Sequence, residues 1–131
     1  MKGVLFVPAL LCCFLQGCSD LGDNLPELDE TVDGKTLIYP SNQRFVLLLD
    51  SYIDAGLRWD YVLSDSTVAS VEGEISYRSN NPGVPGGSAT ATVIFRTGRT
   101  GACTISLFEH QRWMVDIPPR RTVTFTVLVQ G

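Results

Sequence analysis

Seven short runs rich in β-branched and aromatic residues, separated by turn residues, constrain the fold of this chain more than any other feature of its sequence. The runs occupy residues 35–39, 44–50, 57–63, 67–77, 89–95, 102–108 and 122–129. Each run has the length of a strand, and no stretch keeps the helical spacing of apolar residues over three turns. In the last run every second residue is apolar, namely Val123, Phe125, Val127 and Val129. This alternation predicts a strand with one face on a core.

The number and spacing of these runs indicate one β-sandwich. About seven short strands within roughly a hundred residues are typical of an immunoglobulin-like fold rather than of a parallel α/β sheet. With 131 residues, of which 44% are hydrophobic, the chain has material for one core. We therefore predict an all-β domain over residues 35–131, an immunoglobulin-like β-sandwich of about seven or eight strands.

The first residues have the pattern of a bacterial export signal. Lys2 precedes an apolar stretch, residues 4–15, that is too short to span a bilayer. It leads into Gly17-Cys18, which resembles a lipobox, where a small residue precedes the cysteine that is acylated after cleavage. We expect a signal peptide over residues 1–17, and a lipid anchor at Cys18 that holds the protein to the bacterial cell envelope, in the periplasm or at the cell surface. Plain secretion, with cleavage near the same place, is the alternative.

An acidic segment follows the anchor cysteine. Residues 19–34 contain six acidic side chains and no basic one, together with Gly and Pro and no sustained apolar period. This composition predicts an extended, solvated tether over residues 18–34, which would hold the domain clear of the lipid headgroups. A disordered terminus without a particular role is the alternative interpretation.

The cysteines do not predict a disulfide scaffold. Of the four, Cys12 and Cys13 would leave with the signal peptide and Cys18 would be acylated, so Cys103 alone remains as a thiol. Cys103 alternates with Ile105 and other apolar residues in its run, which predicts a small buried residue rather than a nucleophile.

Composition also argues against several classes of function. A net charge of -4 is unsuited to nucleic acid, whose phosphates need clustered bases. Proton-transfer hydrolases need a histidine, and the single His110 falls in a predicted loop. One histidine and one thiol cannot form a zinc site, and the aspartates at 50, 54 and 60 lack the spacing of a calcium loop. We expect no enzymatic activity, no cofactor, no metal and no nucleic-acid partner.

Three of the predicted loops carry the candidate binding residues. They span residues 51–56, 79–88 and 109–121 and follow alternate strands, so in a sandwich they are expected to cluster at one end. Trp113 lies among polar residues of the third loop, where a tryptophan is typical of a binding anchor. The alternative is that it folds back on the sandwich edge. Trp59 alternates with Leu57 and Tyr61 and is predicted to belong to the core.

At these loops the sequence resembles the chagasin family of cysteine-protease inhibitors. That family has three motifs, Asn-Pro-Thr-Thr-Gly-Tyr/Phe-x-Trp, Gly-x-Gly-Gly and Arg-Pro-Trp. Gly56 and Trp59 match the end of the first, residues 84–87 loosely match the second, and Gln111-Arg112-Trp113 resembles the third. The order and spacing carry the resemblance, which extends from Gly34 to Val129.

The resemblance implies an immunoglobulin-like inhibitor whose three loops enter the cleft of a papain-like cysteine protease as a wedge. It implies nine protease-binding residues: Asp54, Ala55, Gly56, Val84, Pro85, Gly86, Gly87, Arg112 and Trp113. The Asn-Pro-Thr-Thr part is lost, and Asp54 stands where the family has a threonine. A carboxylate at that position must lose water on binding, which implies weaker inhibition or a different target protease.

Two other functions are compatible with such a fold. The first is a structural or adhesive surface lipoprotein, whose immunoglobulin-like module would bind through sheet faces or edges and never meet a protease. The second is carbohydrate binding through Trp113 and Tyr52.

Overall fold

A computed structural model describes residues 25–83, 87–111 and 117–130, apart from the side chain of Asp54. These residues form an all-β fold of nine strands and two short 3-10 turns, Glu30–Val32 and Ile53–Ala55. The strands are β1 (Glu27–Leu28), β2 (Thr36–Tyr39), β3 (Arg44–Ser51), β4 (Leu57–Leu63), β5 (Ala69–Val71), β6 (Ser76–Ser79), β7 (Ala89–Thr97), β8 (Gly101–Gln111) and β9 (Arg121–Val129). The predicted all-β sandwich is confirmed.

The strands form two sheets. One sheet has the order β1-β3-β7, with β5 and β6 both pairing along the far side of β7. The other has the order β2-β9-β8-β4. Most neighbours are antiparallel, but β1 runs parallel to β3 and β2 runs parallel to β9. The chain therefore begins by contributing one strand to the edge of each sheet.

The core lies between the two sheets and follows from the alternation in the sequence. The inward residues of β3, β7, β8 and β9 are buried, and the intervening ones are half-buried or exposed. Phe45 stacks on Phe95 with ring centroids 5.0 Å apart, and Phe95 meets Phe125 edge-on at 6.1 Å. The second of these contacts joins the two sheets through aromatic packing. Trp59 and Cys103 are fully buried, as predicted.

The predicted strand over residues 67–77 is wrong in one respect, because this stretch forms two strands. β5 pairs with Phe95–Thr97 and β6 pairs with Ala89–Thr92, so the two lie in line along β7. Gly73 separates them with a φ of 73°, a left-handed conformation that interrupts a strand. This break turns the seven predicted runs into eight strands, and β1 is the ninth strand of the described residues.

The predicted tether extends too far along the chain, because residues 25–34 belong to the folded domain. β1 pairs with β3, and Val32 is buried in the core with 4% of its surface exposed. Gly34 N donates to the carbonyl of Thr124 at 2.7 Å, and Asp33 accepts from Thr124 N at 2.8 Å. The acidic residues of this segment lie mostly outside while its few apolar residues pack inward. The predicted signal peptide, Cys18 and the start of the tether lie outside the described residues.

The long strands β8 and β9 shorten the third predicted loop. Glu109 and Gln111 are still in β8 and Arg121 begins β9, so the connection runs over residues 112–120.

Within the described part of the chain, no helix is long and apolar enough to span a bilayer.

Candidate functional site

The three predicted binding loops lie at one end of the sandwich. Strand pairing places Ser51, where the first loop begins, beside Ala89, where the second ends, and Ser79, where the second begins, pairs with the same Ala89. In the other sheet Leu57 pairs with Gln111, and Glu109 pairs with Arg121. The strand ends that flank the three loops therefore lie at the same end of the sandwich, as predicted.

The first loop is a tight turn that ends in glycine. Its 3-10 turn, Ile53–Ala55, is closed by hydrogen bonds from Ala55 N to Tyr52 O at 3.1 Å and from Gly56 N to Ile53 O at 2.9 Å. Gly56 has a φ of 80°, a backbone conformation that residues other than glycine rarely adopt. The turn therefore depends on Gly56, one of the residues implied by the family resemblance.

Two neighbouring side chains support the backbone of the first loop. Gln111 Nε2, at the end of β8, donates to the carbonyl of Ala55 at 3.0 Å. Arg58 Nη1 donates to the carbonyls of Ile53 at 3.2 Å and Leu57 at 2.8 Å, and its guanidinium lies 5.4 Å from the ring centroid of Tyr77. Arg58 thus supports the loop.

The second loop is closed at its base by Asn80. Asn80 N donates to Ser88 O at 3.0 Å, its Nδ2 donates to Ser88 Oγ at 3.0 Å, and its Oδ1 accepts from Thr90 Oγ1 at 2.8 Å. Gly83 has a φ of 89°, and Gly87 is half-buried. Val84, Pro85 and Gly86 lie outside the described residues.

The third loop is described at its C-terminal side. Arg120 N donates to Glu109 O at 2.7 Å, and the Arg120 guanidinium lies 5.1 Å from the ring centroid of Tyr52, in the first loop. Ile117 is 59% exposed and lines a shallow depression with Leu57 and Gln111. Arg112 and Trp113 lie outside the described residues.

A charged cluster lies directly beneath the first and third loops. Glu109 is fully buried and accepts a hydrogen bond from Arg121 Nε at 2.9 Å. Arg121 also reaches Glu30 and the carbonyl of Asp50. Burial opposes the charge of the Arg121 guanidinium, but the hydrogen bond and charge of Glu109 together with the charges of Glu30 and Asp50 outweigh it, so the pKa of Arg121 lies above its usual value.

The sequence contained a signal for this cluster that composition and motifs did not reveal. Glu109 continues the inward alternation of Ile105 and Leu107, and Arg121 begins the alternation of Val123 in β9. An acidic and a basic residue at inward positions of neighbouring strand ends indicate a buried ion pair.

The structure separates the two residues considered for hydrolytic chemistry. Cys103 faces the core, whereas His110 lies on the outer face of β8, not in a loop as predicted, and its Nε2 is 2.6 Å from Asp60 Oδ2. They therefore form no dyad. Among the described residues, no group of His, Cys, Asp and Glu is arranged to hold a metal ion.

Comparison with solved structures shows the same fold elsewhere. The cysteine protease inhibitor EhICP2 from Entamoeba histolytica aligns with a TM-score of 0.71 and 20% identity, over 81% of this chain and 96% of that one. The solution structure of Amebosin aligns with a TM-score of 0.60 and 19% identity, over 81% and 98% of the two chains. A search of curated protein sequences found no match.

Comparison with family models identifies the family. The model described as Chagasin family peptidase inhibitor I42 matches residues 39–127 of this 131-residue chain. Its members are inhibitors of peptidases and not enzymes, in agreement with the expectation from the sequence. The match covers well over half of the sequence, and the chain therefore belongs to the chagasin family of peptidase inhibitors.

Proposed function

We propose that this protein is a reversible inhibitor of papain-like cysteine endopeptidases and that it binds them through the three-loop end of the sandwich. Family membership supports peptidase inhibition in general. EhICP2, which has the same fold, is described as a cysteine protease inhibitor, and this description supports the proposed class of target.

The observation that carries the proposal is that the three loops start and finish at one end of the sandwich, where hydrogen bonds hold the first loop and the base of the second. The first loop is fixed by its own turn, by Gln111 and by Arg58, and the second is closed by Asn80. A partner that binds such loops loses little affinity to the ordering of flexible chain. A first loop fixed in this way is suited to entering a cleft without being cleaved.

The binding residues are proposed from the family motifs. Asp54, Ala55 and Gly56 in the first loop would lie over the catalytic cysteine, where small residues permit close approach of the backbone. Residues 84–87 and Arg112-Trp113 would grip the two rims of the cleft. Asp54 must lose water in such a complex, so we expect weaker inhibition than a threonine at this position would give.

The inhibition constants of three forms test the proposal. The chain from Ser19 onward is titrated against papain and a cathepsin-L-like protease, together with Trp113→Ala and a control, Ile38→Ala. Ile38 is also a large apolar residue, 61% exposed, but it lies at the opposite end, where it pairs with Leu128. We expect inhibition that Trp113→Ala weakens by about 2 kcal/mol or more and that Ile38→Ala leaves unchanged.

The competing function predicts the reverse pattern. A structural or adhesive lipoprotein would leave both proteases fully active and would bind its partner through exposed apolar residues of the sheet edges, such as Ile38 of β2 and Val62 of β4. Full protease activity in the presence of a folded, saturating protein would therefore overturn the proposed inhibition of these enzymes.

We further propose that the protein is exported and anchored to the bacterial cell envelope through a lipid on Cys18. The apolar stretch before Cys18 and the small residue preceding it support this proposal. Metabolic labelling with a fatty acid tests it in cells. The intact protein should take up label and Cys18→Ala should not, whereas an unlabelled intact protein in the medium would indicate plain secretion.

A further inference from the structure

We infer that Arg121 is a positioning residue for the proposed inhibitory surface: its guanidinium fixes the first and third loops relative to each other and to the N-terminal segment 25–34. The inference rests on the proposed function for its effect on inhibition, but the positioning itself can be measured without a protease.

The guanidinium of Arg121 meets four different elements. Nε donates to Glu109 Oε1 of β8 at 2.9 Å, Nη1 donates to Glu30 Oε1 of the first 3-10 turn at 3.0 Å, and Nη2 donates to the carbonyl of Asp50 in β3 at 2.7 Å. The guanidinium carbon Cζ lies 5.2 Å from the ring centroid of Trp59 in β4. The fixed fork geometry of a guanidinium holds all four partners at once.

These partners stand at the chain ends of two loops. Asp50 lies one residue before the first loop and Trp59 three residues after Gly56. Glu109 and Arg121 face each other across the β8–β9 ladder on either side of the third loop. One side chain therefore connects both ends of both loops, and a change in its geometry alters how the loops are placed.

The buried charge of Glu109 requires a cation beside it, and Arg121 supplies that cation. The Glu109 carboxylate is fully buried, and its Oε2 has no hydrogen-bond partner within the described part of the chain. Its ion-pair partner among these residues is Arg121. A buried carboxylate that loses its cation must move, become protonated or admit water, and each response disturbs the base of the third loop.

Glu30 extends the connection to the N-terminal segment. Its Oε1 accepts from Asp50 N at 3.2 Å as well as from Arg121, and Val32, two residues later, is buried in the core. Glu30 and Val32 both precede residue 39, where the family match begins. Segment 25–34 thus supports the proposed binding surface although it lies outside the matched residues.

Amide hydrogen exchange of the full chain tests the positioning role. Arg121→Lys keeps the charge but removes the fork, and Glu30→Gln keeps the acceptor oxygen but removes the negative charge that Glu30 offers to Arg121. The control Glu72→Gln breaks ion pairs with Arg44 and Arg96, seven residues along β3 from the loop end. The reporting amides are Ala55, Gly56 and Arg120 at the loop end, and Gly98 and Gln130 at the opposite end.

We expect Arg121→Lys to accelerate exchange at the loop-end amides about tenfold while the opposite end stays unchanged, because local opening differs from global unfolding. Glu30→Gln should act in the same direction with a smaller effect, and Glu72→Gln should leave the loop-end amides unchanged. A uniform acceleration of all five amides in Arg121→Lys would mean a general stabilising role and would overturn the inference. If Arg121→Lys does not fold, the exchange rates of Glu30→Gln test the inference instead. Unchanged exchange of its loop-end amides would then overturn the inference.

Inhibition measured on the same variants separates this inference from the proposed function. If the unaltered protein inhibits a papain-like protease, Arg121→Lys should weaken inhibition about tenfold, mainly through faster dissociation. If the unaltered protein inhibits none, the proposed function fails, while the exchange rates still decide whether Arg121 positions the loops.

Discussion

Trp59 and Arg121 donate to the same acceptor, the carbonyl oxygen of Asp50. The indole Nε1 of Trp59 lies 3.0 Å from that oxygen and the Nη2 of Arg121 lies 2.7 Å from it, while the guanidinium rests against the indole ring. A carbonyl oxygen has two lone pairs, and here both find a donor. The end of β3 is thereby fixed at the point where the chain leaves the sheet for the first loop.

Trp59→Phe tests this shared bond. The substitution removes the indole donor and part of a fully buried side chain, so we expect the free energy of unfolding to fall by about 1–3 kcal/mol. Chemical denaturation measures the loss. Tyr61→Phe is the control, since Tyr61 lies on the same strand but is 39% exposed, and it should change stability by less than about 0.5 kcal/mol. Equal effects of the two substitutions would contradict a specific role for Trp59.

Gly56→Ala should disturb the first loop through its backbone. At a φ of 80° an added Cβ costs about 1–2 kcal/mol, and the strain falls on a turn proposed to enter the protease cleft. Gly73→Ala is a matched control, because Gly73 lies between β5 and β6 with a φ of 73° and nothing within 4 Å of an added Cβ. Denaturation should show a similar loss of stability in both variants, while the inhibition constant should rise only for Gly56→Ala. A parallel rise in both would indicate that stability alone controls inhibition.

The cluster of Glu72 with Arg44 and Arg96 should make stability depend on pH in the acid range. The hydrogen bond from Arg96 is the main cause that places the pKa of Glu72 below its ordinary value, with a further contribution from Arg44 and against the effect of burial. A lowered folded-state pKa contributes stability above the unfolded pKa, and this contribution is lost as pH falls through the folded value.

Thermal unfolding measured between about pH 6 and pH 3 checks this prediction. The difference in midpoint between the unaltered protein and Glu72→Gln should be largest near pH 6 and should shrink as pH falls. A difference that grows toward low pH would contradict the assignment.

Cys103 should be unreactive in the folded protein. Its side chain is fully buried among core residues. In the chain from Ser19 onward, where Cys103 is the one cysteine, an aromatic disulfide reagent should label it only after denaturant is added. Cys103→Ser places a hydroxyl in this apolar site and should lower the free energy of unfolding by about 1–3 kcal/mol. Cys103→Ala is the control for the volume lost in the stability measurement. Rapid labelling of Cys103 in the folded chain would contradict its burial.

The periodicity of the sequence was sufficient to predict the sandwich. The strand β4 has the predicted bounds, and the inward residues of β9 are those that the alternation predicted. Periodicity works here because each long strand has one face on the core and one toward solvent. It failed at Gly73, where a single left-handed residue divides a β-rich run, and at the N-terminal segment, where composition concealed two short packed elements.

The candidate site was predicted only in part, for a physical reason. Order along the chain was enough to place three loops at one end, because strand direction alternates in a sandwich. The side chains that hold those loops were not predicted, since Arg121 reaches partners as far apart in sequence as Glu30 and Glu109. Long-range polar contacts of this kind depend on strand register, which periodicity alone does not specify.

The proposed inhibition is tested most directly by asking whether the protein binds in the catalytic cleft of a papain-like protease. Binding is measured by calorimetric titration against papain, before and after the cleft is filled with a covalent peptidyl inhibitor. We expect one-to-one binding to the free enzyme, recovery of activity on dilution, an uncleaved inhibitor chain, and no binding to the blocked enzyme. Equal binding to both forms, or a folded protein that binds neither, would contradict it.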